Sequence, residues 1–386
     1  DIDIDIDIDI DIDIDIGIDR DGGLMEEAFV YLGSGGVGKT TVAAASAVAA
    51  ARDGARVVVL TIDPARRLAE TLDLDGAGDG ARLVAGPWPG ELWAAQLQPS
   101  TTLAEVLHRY GRPGQAERIL ANPTFQAVTH ATPGISEYMA VERLHQLHTD
   151  PRFDVVVLDT PPSRHAIEFL DSPERLCRFV DNRLYRTVLA PRSGVLRSAS
   201  SAGRLALRAV ARLVGMELVD NVMRLFADLD GLDQGFRDRA AEIGELLASP
   251  RCRYRLVTTA RPETVAEATW IGRSLIDRGL AVDAVVANRV APSFTLPAGA
   301  GNGTEARSRT AKPLVSNLAE LSSLAGREAE LLARLADALG QPPMVRVEER
   351  ARMARGRDAL AALATELAPA TRPRPPARTR LPPPIR

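Results

Sequence analysis

Cysteine and lysine are the scarce residues of this chain. Two cysteines in 386 residues, Cys177 and Cys252, exclude a disulfide scaffold and fit a reducing compartment. No run of 18 or more apolar residues and no signal-peptide pattern occurs, which argues against a membrane-spanning helix and predicts a soluble, cytoplasmic chain. Of 47 Lys and Arg residues only Lys39 and Lys312 are lysines, so arginine stands almost everywhere that either cation would serve. A lysine kept against that bias is there for its shape. A compact ammonium fits inside a cradle of phosphate oxygens where a planar guanidinium does not.

Lys39 lies in the stretch Gly33-Ser34-Gly35-Gly36-Val37-Gly38-Lys39-Thr40-Thr41. An apolar run, Phe29 to Leu32, precedes it and reads as a strand; an alanine-rich run, Val42 to Ala51, follows and reads as a helix. Strand, glycine loop and helix are the setting in which G-x-x-x-x-G-K-[ST] becomes a phosphate site. Glycines let backbone N–H groups curl around an anion, and the positive end of the helix adds to the pull. In that setting Lys39 reaches the β- and γ-phosphates of ATP and the Thr40 hydroxyl ligates Mg²⁺. The bland alternative is a glycine-rich turn without a ligand.

Further strand ends supply carboxylates. Arg56 to Ile62 is nearly continuous in Val and Leu, as in a parallel sheet covered on both faces, and ends in Thr61-Ile62-Asp63-Pro64-Ala65. Asp63 there can orient or deprotonate a water aimed at a γ-phosphate, or simply cap a turn. Phe153 to Leu158 is the clearest buried strand and delivers Asp159-Thr160-Pro161-Pro162-Ser163. An acidic strand end beside a glycine loop holds Mg²⁺, often through water.

Glu91 to Leu97 predicts a third strand, followed by short helices near Thr101 to Tyr110, Gln115 to Leu120, Pro123 to His130 and Ser136 to His148. Pro133-Gly134-Ile135-Ser136-Glu137 reads as a capped turn. Ser172 to Pro250 reads as helices only. Within it Arg204, Arg208 and Arg212 share one helical face, either a partner or membrane surface or a solvated face over a local core. Met216, Met223, Leu225 and Phe226 line a groove for an apolar client or belong to that core. Arg253 to Thr259 and Val282 to Ala287 are strands around a helix, Pro262 to Arg278, and the second ends in Asn288-Arg289, where an amide can read an adenine edge. A long amphipathic helix from Leu314 to Leu339, a short strand from Met344 to Val347 and a helix to Leu367 complete the pattern.

The chain ends are compositional extremes. Residues 1 to 16 are eight Asp-Ile pairs, read as low-complexity sequence or an extension ahead of a start at Met25. Residues 1 to 24 hold ten Asp and one Arg, a net −9 against −4 for the whole chain, so the remainder carries +5. That mild surplus does not predict nucleic-acid binding. Residues 369 to 386 hold seven Pro, five Arg and no acid, an extended or disordered composition.

The loop Gly33 to Thr41, the Asp63-Pro64-Ala65 segment, the turn at Pro133, the Asp159-Thr160-Pro161-Pro162 strand end and Asn288-Arg289 together resemble the arsenite/anion-transporting ATPase family, which includes ATPases that target tail-anchored membrane proteins. The resemblance spans about residues 26 to 367 and is strongest to actinobacterial ArsA-like members. It implies a P-loop NTPase fold, a mostly parallel sheet of about seven or eight strands with helices on both faces and a helical insertion. It implies boundaries at 1–24 (extension), 25–171 and 251–367 (ATPase core), 172–250 (helical insertion) and 368–386 (tail). It further implies an ATP-hydrolysing dimer with Lys39 and Asp63 catalytic, and Gly33, Ser34, Gly35, Gly36, Val37, Gly38, Lys39, Thr40, Thr41 and Asn288 on the nucleotide. Mg²⁺ falls to Thr40 and Asp159, and a protein client falls to the insertion.

Three departures accompany it. The family's signature lysine, which reaches into the partner's site, is Ser34 here, so the partner is a second copy or a paralogue that supplies the cation. Two cysteines are too few for the thiolate cluster of an arsenite pump. No C-x-x-C is present to hold the dimer-bridging zinc of the tail-anchored targeting branch. Alternatives are a hydrolysis-poor regulatory subunit and a partitioning or positioning ATPase.

Overall fold

The computed structural model describes residues 27–63, 67–72, 80–131, 135–161, 165–181, 221, 224–225, 227–229, 231–292, 311–349 and 357–367. The Asp-Ile repeat, Met25, Pro64 and Ala65, Pro133 and Gly134, Pro162 and Ser163, the Arg204, Arg208 and Arg212 face, Met216, Met223, Phe226 and the Pro/Arg tail lie outside those residues. The chain divides into two compact units, one of Asp1–Gln96, His148–Ser163 and Arg253–Arg386, the other of Leu97–Leu147 and Arg164–Cys252.

The first unit is built on an eight-stranded sheet. Its strands are β1 (Glu27–Leu32), β2 (Arg56–Thr61), β3 (Arg82–Val84), β4 (Glu91–Gln96), β5 (Val155–Asp159), β6 (Cys252–Thr258), β7 (Val282–Val290) and β8 (Met344–Glu348), in the order β3-β4-β2-β5-β1-β6-β7-β8. Strands β1 with β5, β2 with β4 and β5, and β7 with β6 and β8 pair parallel, and β3 pairs antiparallel on β4. The Val-rich runs of β2 and β5 are buried along their length, the pattern that requires helices over both faces. Helix α1 (Lys39–Arg52) supplies one cover. Its alanines carry no side-chain bulk, so the helix sits close on the sheet and is buried from Val42 to Ala51.

Four more helices complete this unit: α2 (Arg67–Leu72), α10 (Pro262–Ile276), α11 (Ala311–Ala338) and α12 (Arg357–Leu367). Arg52 at the end of α1 donates to the Ala361 carbonyl at 2.8 Å and to Thr365 Oγ1 at 3.0 Å, pinning α12 beside it. Val257 joins the core under α1 and α12, whereas Leu256 lies against Gly272 of α10. Adjacent strand residues point to opposite faces, so the two helix pairs cover opposite sides of the sheet. The mostly parallel α/β architecture is the one predicted. The short β3 was not foreseen; three residues on an edge give no periodic signal.

Apart from Cys252, where β6 begins, the regular elements among the described residues of the second unit are helices. It comprises α3 (Pro99–Tyr110), α4 (Gln115–Ala121), α5 (Pro123–Ala131), α6 (Ile135–His148), α7 (His165–Glu168), α8 (Ser172–Asp181) and α9 (Asp233–Ala248). Leu107, Ala116, Ile119, Leu225 and Leu232 form a small core of their own. The Gln115 side chain ties this core to the chain beyond it, accepting from Arg112 N at 2.8 Å and donating to the Asp228 carbonyl. The unit is wider than the 172–250 stretch singled out in the sequence, because α3 to α6 belong to it.

Candidate functional site

Parallel register brings sequence-distant residues to one edge of the sheet. Strand β5 lies between β1 and β2, and its last residue, Asp159, is level with Tyr31 of β1 and Thr61 of β2. β1 runs into the glycine loop and β2 into Asp63. Loop, carboxylate and second acid therefore leave the sheet side by side, on the edge where open α/β sheets bind ligands.

The loop is shaped by close approaches that only glycine permits. A Cβ on Gly33 would lie 2.1 Å from the Val257 carbonyl oxygen, and one on Gly38 would lie 2.4 Å from Asn288 Nδ2, with Gly38 at φ +95°. Asn288 is buried and donates Nδ2 to the Val37 carbonyl at 2.7 Å, while its Oδ1 accepts from Arg289 N at 3.0 Å. Helix α1 begins at Lys39 with no side-chain cap and no acid in its first turn, so its leading N–H groups are left for an anion. Thr41 belongs to that turn.

Lys39 is buried, and its Nζ donates to the carbonyls of Gly33 at 2.9 Å and Ser34 at 2.8 Å. Burial depresses its pKa, and the nearby carboxylates Asp159, Glu267 and Asp63 oppose that shift. Thr40 Oγ1 donates to Asp159 Oδ2 at 2.7 Å, and Thr61 Oγ1 donates to the same oxygen at 3.1 Å. The other oxygen, Asp159 Oδ1, is buried with no hydrogen-bond partner among the described residues. Burial pushes the Asp159 carboxyl up to about 6, against the Thr40 bond and the Lys39 charge.

An orphaned carboxylate oxygen next to a threonine hydroxyl fits a small, hard cation. Magnesium keeps several waters and takes one or two protein oxygens beside substrate phosphates. Among the described residues no group of three or more His, Cys, Asp or Glu could hold a metal, so a site at Thr40 and Asp159 would be of that sparse kind.

A match to the anion-transporting ATPase family model covers residues 26–308. The chain belongs to that family. An ATPase GET3 from Malassezia globosa is 31% identical over 144 residues, 37% of this chain and 41% of that protein. ATPase ARSA1 from Chlamydomonas reinhardtii is 23% identical over 283 residues, 68% of this chain and 34% of that protein. An arsenical pump-driving ATPase from Acidiphilium multivorum is 29% identical over 158 residues, 39% of this chain and 26% of that protein. The chain thus spans well under half the length of each of these three relatives.

Family membership directs attention to Asp63, which stands just past β2 on the same edge. Its N–H faces Thr61 Oγ1 at 3.3 Å, its carbonyl accepts from Gln96 Nε2 at 3.4 Å, and its Oδ2 lies 3.7 Å from the Arg67 guanidinium. The structure brings together Gly33 to Thr41, Asp63, Asp159 and Asn288, all named from the sequence. Sequence reasoning missed Thr61, Gln96 and Arg67. Thr61 was findable, since a hydroxyl at the end of β2 falls level with the acid that ends its parallel neighbour. Among the described residues no helix is long and apolar enough to cross a membrane.

Proposed function

We propose that this chain binds Mg-ATP in the loop Gly33 to Thr41, hydrolyses it slowly, and works as a cytoplasmic, dimeric switch whose nucleotide state is read by a client or partner on the stretch 172–250. The observation that carries this reading is the Thr40–Asp159 contact with its spare buried oxygen, beside a loop that buries one lysine. The backbone of Gly35 to Gly38 and the start of α1 cradle the phosphates, and Lys39 exchanges its two loop carbonyls for phosphate oxygens. Thr40 and Asp159 hold Mg²⁺, which when bound neutralises charge on the β- and γ-phosphates. Asp63 orients the attacking water. The water oxygen bonds to the γ-phosphorus, the bridging P–O bond breaks with its electron pair on ADP, and the proton leaves by way of Asp63 to solvent. An adenine contact from Asn288 would use its second amide hydrogen, since the first is on Val37.

A second reading, a nucleotide-binding regulatory subunit that hydrolyses little by itself, is favoured by Ser34, which is neutral and buried at the second loop position. Calorimetry of the full chain with Mg-ATP, followed by turnover alone and with a paralogous ATPase, separates the two. Heat of binding with turnover by the lone chain supports the enzyme. Binding with turnover only in the mixture supports the subunit, and absence of heat overturns both.

A further inference from the structure

The loop itself contributes one cation. Ser34 is 5% exposed, its hydroxyl has no hydrogen-bond partner among the described residues, and its carbonyl is engaged by Lys39. A buried neutral side chain cannot deliver charge to a γ-phosphate. Phosphoryl transfer spreads charge over three equatorial oxygens, and a guanidinium fork suits those oxygens as a supplement to ammonium and metal.

Among the described residues, the charged groups that act on the Lys39 ammonium include the carboxylates Asp159, Glu267 and Asp63 and one cation, Arg67. Arg67 opens α2, four residues after Asp63, and its guanidinium lies 3.7 Å from Asp63 Oδ2. Its side chain is 63% exposed against 20% for Asp63. That separation exceeds the about 2.7–2.9 Å of a tight charge-assisted bond, and pairs so exposed contribute little stability. The guanidinium is tethered there and can change partners at small cost. Thr71 Oγ1 donates to the Arg67 carbonyl at 2.6 Å, fixing the backbone from which the side chain extends.

We infer that Arg67 is the second cation of the triphosphate site, contributed by the same chain: with ATP bound its guanidinium turns from Asp63 to the γ-phosphate oxygens. The inference rests on the Mg-ATP reading of the loop. It makes the preference for ATP over ADP depend on Arg67, because ADP presents no γ-phosphate to draw the guanidinium away from Asp63.

The test uses the full chain, its Arg67→Ala and Arg67→Lys variants, and two probes, Mg-ADP and the Mg complex of a non-hydrolysable imido analogue of ATP. Arg67→Ala is expected to keep its ADP affinity and to lose about tenfold or more in affinity for the analogue, the value of a charge-assisted contact. Its single-turnover hydrolysis is expected to fall by about 10³-fold, as for other arginines supplied to this chemistry. Arg67→Lys should recover part of the analogue affinity and little of the rate, since an ammonium lacks the fork. An unchanged ratio of analogue to ADP affinity in Arg67→Ala overturns the inference alone, whether or not the rate falls. If the unaltered chain binds neither probe, the Mg-ATP reading fails and this inference fails with it.

Discussion

Arg239 and Glu142 meet in a two-pronged ion pair inside the helical unit, Nε to Oε2 and the second guanidinium nitrogen to Oε1, both at 2.9 Å. The two side chains are 4% and 0% exposed. Removing Glu142 takes away both of those contacts and leaves the buried Arg239 guanidinium to the largely exposed Glu242, 3.0 Å from its other terminal nitrogen. Glu142→Ala is therefore expected to lower unfolding stability by about 3–5 kcal/mol, read as a shift in urea midpoint. Glu142→Leu combined with Arg239→Met should restore most of the loss, because the pair's desolvation cost goes with it.

The glycines of the loop should rank by what surrounds them. Gly33→Ala forces a methyl against the Val257 carbonyl and Gly38→Ala forces one against the Asn288 amide, whereas a Cβ on Gly36, at φ +78°, would meet no other described residue within 4 Å beyond its chain neighbours. Gly36→Ala should cost only the left-handed backbone penalty of about 1–2 kcal/mol, and the other two should cost more. Thermal melting of the three variants checks the order, and a Gly33→Ala protein that melts with Gly36→Ala would contradict the loop geometry.

Asp159 should weaken the metal-free fold as it ionises. Its folded pKa of about 6 lies above its ordinary value of 3.8, so its favourable contribution is complete below about 3.8 and is lost as pH rises through about 6. The loss is on the order of 3 kcal/mol. Asp159→Asn should thus stabilise the chain above pH about 6 in the presence of a chelator, while abolishing any stabilisation by Mg²⁺. Melting curves at several pH values, with magnesium and with chelator, measure both effects.

Arg255 is fully buried, stacked 4.0 Å over the Phe29 ring, with its Nε on Asp283 at 2.8 Å and a terminal nitrogen on the Tyr31 hydroxyl at 3.0 Å. Only a planar, multidentate cation meets all three demands. Arg255→Lys should lower stability by about 2 kcal/mol or more through lost stacking and an unpaired phenol, whereas Tyr31→Phe should cost about 1 kcal/mol. Denaturant titration distinguishes the two.

The sheet was legible because β1, β2 and β5 are apolar on both faces and end in glycine or acid, a pattern that survives without knowledge of neighbours. The loop was legible because Lys39 stands against the arginine bias of the whole chain. Arg67 was not, since its role comes from a side chain folding back on Asp63. Residue Asn288 shows the intermediate case: the sequence reading ends its strand at Ala287, whereas β7 runs on to Val290, and its bond to Val37 depends on how closely β7 approaches the loop. That α3 to α6 share a compact unit with the later helices was not legible, because they precede β5 in sequence and nothing in their composition links the two sets.

The level alignment of Tyr31, Asp159 and Thr61 makes the site a matter of counting as much as of chemistry. Side chains alternate sides along a strand, so one residue added or removed between Val155 and Leu158 would turn the carboxylate to the opposite surface of the sheet while leaving the glycine loop unaltered. Such a length variant would keep the loop sequence and lose the ion it is meant to share.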